Sequence, residues 1–341
     1  MTRPRHATIR DVAARAGVSK SLVSLALQGS SRVSVESRAA IWAAVEELGY
    51  RPNAAARNLG ANRSRTIGVF LLDLHNPVSA DFVDAVQSEA RQRDFRTILV
   101  VGSDDAAVER AELEKLLEFR VEGMIAFGHR LPVRAHQVIG PDFPAVIVSS
   151  QHLGVPHLSC IANDDVAGAE LAVEHLVAIG HTRIAHITGG ANEVAVRRRR
   201  GYEQAMHRHG LSEQISCFDG AFSDLGGQAG MRLALQSRPA PSAIFVCSDY
   251  AAIGALAAIA EFGLRVPQDI SVIGYDGTRL SAMPTVSLST IVQPIADMGM
   301  QAAANLAHAL ETGEEPSPST LVSPRLVQRS TTAPPQGAYV P

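Results

Sequence analysis

Residues 9–27, IRDVAARAGVSKSLVSLAL, predict two short helices separated by a glycine turn. Thr8 is placed to cap the first helix, and Gly17 stands where a tight turn needs a left-handed backbone. This pattern predicts a helix-turn-helix, whose second helix presents its N-terminal residues to the DNA major groove. The alternative is an ordinary pair of packed helices, which the small residues Ala13, Gly17 and Val23 at close-contact positions disfavour.

A third helix is predicted over residues 35–48, and it completes a small helical head. Ser34 is placed to cap this helix. Trp42, the only tryptophan, falls on one helical stripe with Ala39 and Val45. We therefore expect Trp42 to lie in the core of the head.

Residues 51–63, RPNAAARNLGANR, follow the head. Positions 54–59 have high helix propensity, but the segment is too short to form a stable helix in isolation. It is therefore expected to fold only when it docks on another surface. The alternative interpretation is a plain interdomain linker.

Positive charge is concentrated at the N-terminal end. Residues 1–63 contain ten Lys or Arg residues against four acidic ones, a net charge of +6. Because the whole chain carries −3, the remainder carries −9. A basic head on an acidic body is the pattern expected when phosphate binding is confined to one end of the chain.

The length and composition are those of a globular protein with more than one domain: 341 residues, 46% hydrophobic and 19% charged. Residues 1–11 lack the apolar region of a signal peptide, and the longest apolar run, 251–260, is too short to span a bilayer. We therefore expect a cytoplasmic protein. The odd number of cysteines and their wide spacing favour reduced, buried thiols over disulfides or a zinc site, and these cysteines are Cys160, Cys217 and Cys247.

From residue 66 onward, strands alternate with helices. Strands are predicted at 67–74, 96–103, 122–128, 144–150, 183–190, 217–222, 243–249, 270–277, 288–294 and 321–329. Helices are predicted at 78–94, 106–120, 166–179, 198–210, 224–236, 250–262 and 295–311. Continuous apolar strands between helices indicate parallel sheets covered on both faces. Because the alternation restarts after residue 165, we expect two α/β lobes with a cleft between them.

The chain resembles the LacI/GalR family of bacterial transcription regulators over residues 8 to about 335. The resemblance is carried by TIRDVAARAG…SRTIGV (8–69), DLHNP (73–77), RRRGY (198–202), CSDYAAIGAL (247–256) and ISVIGYDG (270–277). It implies an all-α helix-turn-helix head and a two-lobed, periplasmic-binding-protein-like α/β body with parallel sheets, which senses a small molecule and dimerises.

The resemblance also implies domain boundaries. The expected parts are a DNA-binding domain at 1–50, a hinge at 51–63, an effector-binding and dimerisation body at 64–335 and a disordered tail at 336–341. Within the body, lobe 1 is expected at about 65–162 and 292–322, and lobe 2 at about 163–291 and 323–335.

At the DNA end, Lys20 and Ser21 match the principal base-reading pair of the family. Lysine can donate hydrogen bonds to guanine O6 and N7, and serine can contact several bases. Leu25 stands at a third reading position, often arginine in the family, where leucine can only touch a thymine methyl or pack. Candidate phosphate contacts are Ser24, Arg32, Ser34 and Asn53.

In the hinge, the resemblance implies a helix that forms on operator DNA and pairs with the hinge of a second copy in the minor groove. Leu59 matches the leucine that is wedged at the central base step. Ala56 matches the small residue that lets the two hinge helices approach. The expected DNA partner is therefore a double-stranded, pseudo-palindromic operator.

Candidate effector-binding residues lie where predicted strands end, because ligands of open α/β folds bind at the carboxyl ends of strands. They are Asp73 and Ser149 in one lobe, Asp249 and Asp276 in the other, Arg198 at the predicted start of a helix, and the aromatic Phe222. The alternative for each is a surface or capping role, and for Phe222 packing within its lobe. Asp and Arg side chains at such positions suit a sugar or a related polar metabolite.

Two positions depart from the family pattern near this site. Val78-Ser79 replace an aromatic residue that is common there, and Ser248 stands where asparagine is common. The cavity is therefore expected to offer less aromatic stacking than a typical sugar-responsive member.

The sequence thus favours a dimeric, ligand-responsive repressor without a cofactor or metal. An extracytoplasmic solute-binding protein would have a signal peptide and no DNA-binding head. An α/β enzyme is disfavoured because no GxGxxG after a strand, Walker loop, GxSxG or HExxH motif occurs. Whether the ligand releases the protein from DNA or promotes its binding stays open at this point.

Overall fold

The computed structural model describes residues 7–27, 29–51, 63–102, 105–128, 140, 143–149 and 158–335. Contacts between residues divide the chain into two compact units, with the division between Ser64 and Arg65. Several predictions lie outside the described residues: those for Asn53, Ala56 and Leu59, most of the hinge, and the tail at 336–341.

The first unit contains three helices, α1 (Ile9–Ala16), α2 (Lys20–Leu27) and α3 (Val35–Glu47). The backbone N–H of Thr8 donates to Oδ2 of Asp11 at 2.8 Å, and the N–H of Asp11 donates to Thr8 Oγ1 at 3.4 Å. This reciprocal cap satisfies two donors that a helix start leaves unpaired. Gly17 ends α1 with a φ of 65°, so the predicted helix-turn-helix is confirmed.

The core of the head contains Val12, Val23 and Ile41, each with no exposed surface. Trp42 lies outside this core with 49% of its surface exposed, so the prediction of a buried tryptophan was wrong. Small apolar residues occur around the whole circumference of α3, and the pattern therefore did not identify its buried face. The packing of α1 against α3 selects Ile41 and Ala44 instead.

The second unit is a sequence of alternating strands and helices. Its strands are β1 (Thr66–Leu71), β2 (Arg96–Val101), β3 (Gly123–Phe127), β4 (Ala145–Val148), β5 (Leu158–Asn163), β6 (Ile184–Ile187), β7 (Ser216–Phe218), β8 (Ala243–Val246), β9 (Ser271–Asp276), β10 (Ser289–Val292), β11 (Thr320–Val322) and β12 (Arg325–Val327). Its helices are α4 (Pro77–Gln92), α5 (Ala106–Glu118), α6 (Asp165–Ala178), α7 (Glu193–Arg208), α8 (Asp224–Gln236), α9 (Asp249–Glu261) and α10 (Ile295–Thr312).

The strands form two six-stranded sheets, ordered β11-β5-β4-β3-β1-β2 in lobe 1 and β12-β10-β9-β8-β6-β7 in lobe 2. Every described pairing is parallel except β10 with β12, so the predicted α/β class is confirmed. The single strand predicted at 321–329 is split, because β11 pairs in lobe 1 and β12 pairs in lobe 2.

Both faces of each sheet are buried. In β1, Ile67 and Val69 contribute to the same cluster as α4 and α10, whereas Phe70 contributes to the cluster that contains Leu113 and Leu116 of α5. Alternate side chains of a strand point to opposite faces, so a sheet covered on both sides needs apolar residues throughout. This requirement explains the continuous apolar runs of the sequence.

Helix α7 begins earlier than predicted. Asn192 caps it by accepting a hydrogen bond from the N–H of Ala195 at 2.8 Å, and the helix starts at Glu193. Arg198 therefore lies in the interior of α7 and does not open it, which corrects the prediction. The run of four arginines at 197–200 looked like a polar helix start, but Arg197 and Arg198 are both buried.

The three thiols are free, with Cys160 and Cys247 buried and Cys217 half-buried. Burial raises the pKa of Cys217 to about 11 and that of Cys247 to about 12, which makes them weak nucleophiles. Among the described helices, none is both long enough and apolar enough to cross a bilayer.

Candidate functional site

A cavity of about 470 Å³ lies between the two lobes, at the carboxyl ends of their parallel strands. Lobe 1 contributes residues that follow β1, β3 and β4, and lobe 2 contributes residues that follow β6 and end β9. The described lining residues are Leu72, Asp73, Asn76, Val78, Ser79, Phe127, Gly128, Ser149, Asn163, Asp165, Gly189, Asn192, Val194, Arg198, Ala221, Phe222, Asp276 and Gln293. Two lobes around such a cavity form the usual ligand-binding arrangement of this fold class.

Five of the six predicted effector residues line this cavity: Asp73, Ser149, Arg198, Phe222 and Asp276. Asp249, the sixth, is not among the described residues that line the cavity. Its carboxylate is buried inside lobe 2, where it accepts hydrogen bonds from the N–H of Thr278 at 2.7 Å and the Thr290 hydroxyl at 2.5 Å. As the first residue of α9, Asp249 turns toward β9 and β10 and away from the cavity.

Arg198 is the centre of the polar network in the cavity. Its Nε donates to Oδ1 of Asp165 at 3.0 Å, and one terminal nitrogen, Nη1, donates to the Cys247 carbonyl at 2.5 Å and to Oδ1 of Asp276 at 3.2 Å. The guanidinium also lies 3.6 Å from the Tyr275 ring centroid, a cation–π contact. Burial lowers the pKa of Arg198, but the two carboxylates outweigh it and raise the pKa, so the charge is retained.

Asp165 was not singled out from the sequence, although it joins two neighbouring arginines. Its Oδ2 accepts from Nη2 of Arg197 at 3.0 Å, while its Oδ1 accepts from Arg198. Arg197 also pairs with Glu193 and donates to the Ser149 carbonyl at 3.3 Å. Because Ser149 belongs to lobe 1, this last bond links the lobes.

Asp276 is the acidic partner of Arg198 on the lobe 2 side. Gln293, which the sequence did not indicate, donates to Oδ1 of Asp276 at 2.7 Å. Within the described part of the chain, both side-chain bonds to Asp276 fall on Oδ1, which leaves Oδ2 for a ligand. Burial raises the pKa of Asp276 to about 7; Arg198 acts to lower it and Asp249 to raise it.

Two lining residues have a backbone conformation that non-glycine residues rarely adopt. Ser149 has a φ of 73° and Asp276 a φ of 113°. Each follows or ends a strand whose carboxyl end faces the cavity. Residues in such sparsely populated conformations cluster at ligand sites, where the surrounding structure holds them.

Phe222 forms an aromatic wall of the cavity and depends on a glycine. A Cβ atom on Gly189 would lie 2.3 Å from the Phe222 ring, so only glycine permits the observed position. The ring also packs partly against the core of lobe 2, as the packing interpretation predicted, and its contact with a ligand stays a prediction. On the lobe 1 side, the cavity is lined by Val78 and Ser79, the two residues that stand where an aromatic residue is common in the family.

The predicted DNA-binding residues of the head differ in exposure. Lys20, Ser21 and Arg32 are exposed, and the first two lie in the first turn of α2. Ser24 and Leu25 are half-buried, and Leu25 packs against the core of the head. Ser34 caps α3 by accepting a hydrogen bond from the N–H of Ser37 at 3.2 Å, so it has a structural role whatever it contacts on DNA. Their contacts with DNA stay predictions.

Comparison with known families matches both units. Residues 8–53 match the model described as bacterial regulatory proteins, lacI family, and residues 173–332 match a periplasmic binding protein-like domain. The chain is 32% identical over 331 residues to the HTH-type transcriptional repressor PurR of Edwardsiella ictaluri (strain 93-146), covering 96% of this chain and 97% of that protein.

Solved structures show the same architecture. The lac repressor dimer bound to operator and the anti-inducer ONPF has a TM-score of 0.84 and 30% identity, covering 96% of this chain and 100% of that one. A LacI family regulator from Enterococcus faecium with bound ribose has a TM-score of 0.72 and 25% identity, and the match covers 79% of this chain and 99% of that one. The complex of the transcriptional regulator CelR with cellobiose has a TM-score of 0.70 and 28% identity, and the match covers 96% of this chain and 100% of that one.

Proposed function

The chain belongs to the LacI family of bacterial regulatory proteins, and we propose that it is a homodimeric transcriptional repressor whose operator affinity is set by a small polar ligand. One observation carries this proposal. A helix-turn-helix that exposes Lys20 and Ser21 occurs in the same chain as an inter-lobe cavity built around Arg198 and Asp276. The first suits a DNA groove, and the second suits a metabolite.

We assign the parts of the chain accordingly. Residues 1–50 form the DNA-binding domain, 51–63 the hinge and 64–335 the ligand-binding and dimerisation body. The lobe boundaries at about 162, 291 and 322 are supported by the three places where the chain passes between the sheets: after β5, after β10 and between β11 and β12.

The ligand that we infer is a sugar or a related polyhydroxyl compound. The relatives with bound ribose and cellobiose support this class. In this chain, Nη2 of Arg198 makes no bond to the described residues and is available as a donor, Oδ2 of Asp276 is available as an acceptor, and the Phe222 ring offers an apolar face. Vicinal hydroxyl groups can bond to both polar groups while a ring face packs on the phenyl group.

Control of DNA binding follows from linkage between the two sites. A ligand that prefers one arrangement of the lobes shifts the population toward it, and the operator shifts the population by its own preference. In a dimer on a pseudo-palindromic operator, the hinge segments must reach both half-sites together. Ligand binding then changes operator affinity through the relative position of the two hinges.

We also infer that the protein acts in the cytoplasm, where operator DNA is found, and that it is not an enzyme. The relatives named above are transcriptional regulators.

The first experiment concerns the DNA end. Lys20→Ala is expected to weaken operator binding by about tenfold and to relax the preference at one base pair of each half-site. Lys115→Ala is a matched control, because Lys115 lies in α5 and pairs with Glu112 in the body. Fluorescence anisotropy with a selected operator measures both variants. Equal operator affinities for Lys20→Ala and the wild type would contradict the proposal.

The second experiment concerns the cavity. A thermal-shift screen of the full-length protein against sugars and nucleosides should identify compounds that raise the unfolding temperature, because binding stabilises the native state. Any such shift is expected to disappear in Asp276→Asn and in Arg198→Gln. A ligand that still shifts both variants binds elsewhere, and the cavity assignment is then wrong. Anisotropy with and without the ligand gives the sign of the response.

A further inference from the structure

The positive charges at the cavity are paired with carboxylates. Arg198 is the one basic residue among the described lining residues, and Arg197 lies next to it. Arg198 contacts Asp165 at 3.0 Å and Asp276 at 3.2 Å, and Arg197 contacts Asp165 at 3.0 Å and pairs with Glu193. The two guanidinium groups therefore face three carboxyl groups.

This set of charges carries no net positive charge in either protonation state of Asp276. Its net charge is −1 when Asp276 is ionised and zero when Asp276 is protonated. Asp73 adds a further carboxylate to the described lining. A phosphate or carboxylate that entered here would lose hydration without meeting an uncompensated cation, which makes its burial unfavourable. An uncharged hydroxyl or carbonyl group can still accept from Nη2 of Arg198.

The position of Asp165 explains how one side chain compensates two arginines. It is the first residue of α6, where the helix dipole stabilises negative charge. The helix cap itself is supplied by the preceding residue, Asp164, whose Oδ1 accepts from the N–H of Ala167 at 3.0 Å. Both oxygens of Asp165 are therefore left for the arginines, one for each.

We propose that the cavity selects uncharged ligands over anionic ones, and that Asp165 determines this selectivity by compensating Arg197 and Arg198. The inference rests on the proposed ligand-binding function of the cavity and names the ligand class more narrowly. It predicts that removing the negative charge of Asp165 creates an anion site where the wild type has none.

The test uses inorganic phosphate as the probe and the full-length protein. The wild type is expected to show no saturable shift of the unfolding temperature beyond that produced by chloride at equal ionic strength. Asp165→Asn is expected to show a saturable phosphate shift, with an affinity at least about tenfold higher than the wild type. Asp269→Asn is the matched control, because it releases Arg265 at the surface, where that pair is exposed.

A charge-balanced double variant identifies the cation that is released. Adding Arg197→Gln to Asp165→Asn removes one positive charge again, and the phosphate shift is expected to fall back to the wild-type level. A saturable phosphate shift in the wild type would overturn the proposal. An Asp165→Asn response no larger than that of Asp269→Asn, or one that persists in the double variant, would overturn it as well.

A measurement on the wild type alone stands even if Asp165→Asn fails to fold. Each neutral compound found in the thermal-shift screen is compared with its phosphorylated counterpart, such as ribose with ribose 5-phosphate. We expect the neutral member to bind at least about tenfold more tightly. The opposite preference would refute the selectivity. The proposed function itself fails separately, through operator binding that no ligand changes, and the phosphate measurements do not depend on that result.

Discussion

The Thr290 hydroxyl donates a hydrogen bond of 2.5 Å to Oδ1 of Asp249, in the interior of lobe 2. Oδ2 of the same carboxylate accepts from the backbone N–H and the hydroxyl of Thr278, at 2.7 and 3.0 Å. Thr278 lies two residues after Asp276, which lines the cavity. The carboxylate of Asp249 therefore fixes the chain next to the ligand site without reaching the ligand site itself.

Asp249→Asn should consequently affect stability more than ligand binding. The NH2 group of the asparagine side chain would face N–H and O–H groups that now donate to the carboxylate, so that at least one buried donor would lose its acceptor. An unsatisfied buried donor costs about 1–3 kcal/mol. We expect the unfolding temperature to fall by several degrees. The Kd of a ligand found in the screen should change much less than in Asp276→Asn. Loss of ligand binding at an unchanged unfolding temperature would contradict this structural role and would indicate that Asp249 contacts the ligand.

Gly189→Ala should impair the aromatic wall of the cavity. The new methyl group would overlap the Phe222 ring, and relieving such overpacking costs about 1–3 kcal/mol. Moving the ring away removes its contact with the ligand. We expect the Kd to rise by about tenfold, which corresponds to a loss of about 1.4 kcal/mol of binding free energy. Isothermal titration calorimetry measures this loss. In a Phe222→Ala background the same glycine substitution should cause no further loss, and an additive loss would contradict the mechanism.

Asp276 should make the stability of the ligand-free protein depend on pH. Burial raises its pKa from 3.8 to about 7, so the folded state favours the protonated form. This preference for the protonated form stabilises the folded state. The stabilisation is complete when the pH is below the pKa of Asp276 in the unfolded state, and it is lost as the pH rises through about 7. Relative to the wild type, Asp276→Asn should therefore gain stability between pH 5 and about 8.

Unfolding temperatures across this pH range measure the difference. Asp84→Asn, which changes an exposed carboxylate on α4, is the control and should follow the wild-type profile. A constant offset between Asp276→Asn and the wild type at every pH would show that Asp276 does not titrate in this range.

In the head, neighbouring residues of α3 should respond in opposite ways to truncation. Ile41 has no exposed surface, and replacing a buried isoleucine by alanine costs about 2–5 kcal/mol. Ile41→Ala should therefore abolish operator binding through unfolding of the head. Trp42→Ala should leave the head folded, because half of the Trp42 surface is exposed. Circular dichroism of the two variants, alongside operator binding, distinguishes them; equal loss of helix would contradict the placement of Trp42.

The sequence by itself determined much of the local structure. Thr8, Asp11 and Gly17 define the first helix because their caps are formed within a few residues of each other. The continuous apolar strands indicated two doubly covered parallel sheets. Asp73, Ser149 and Asp276 line the cavity because each follows or ends a strand, and the carboxyl ends of parallel strands meet at one edge, which follows from the order of elements alone.

Only the tertiary structure decided which faces pack and which charges pair. The burial of Ile41 instead of Trp42 depends on the position of α1, and the inward turn of Asp249 depends on Thr290, 41 residues later. Arg198 meets Asp165 across 33 residues and Asp276 across 78. Periodicity reports how a segment folds locally, whereas partners distant in sequence are selected when the segments pack together. The pairing that we infer to set ligand charge was therefore visible only in the fold.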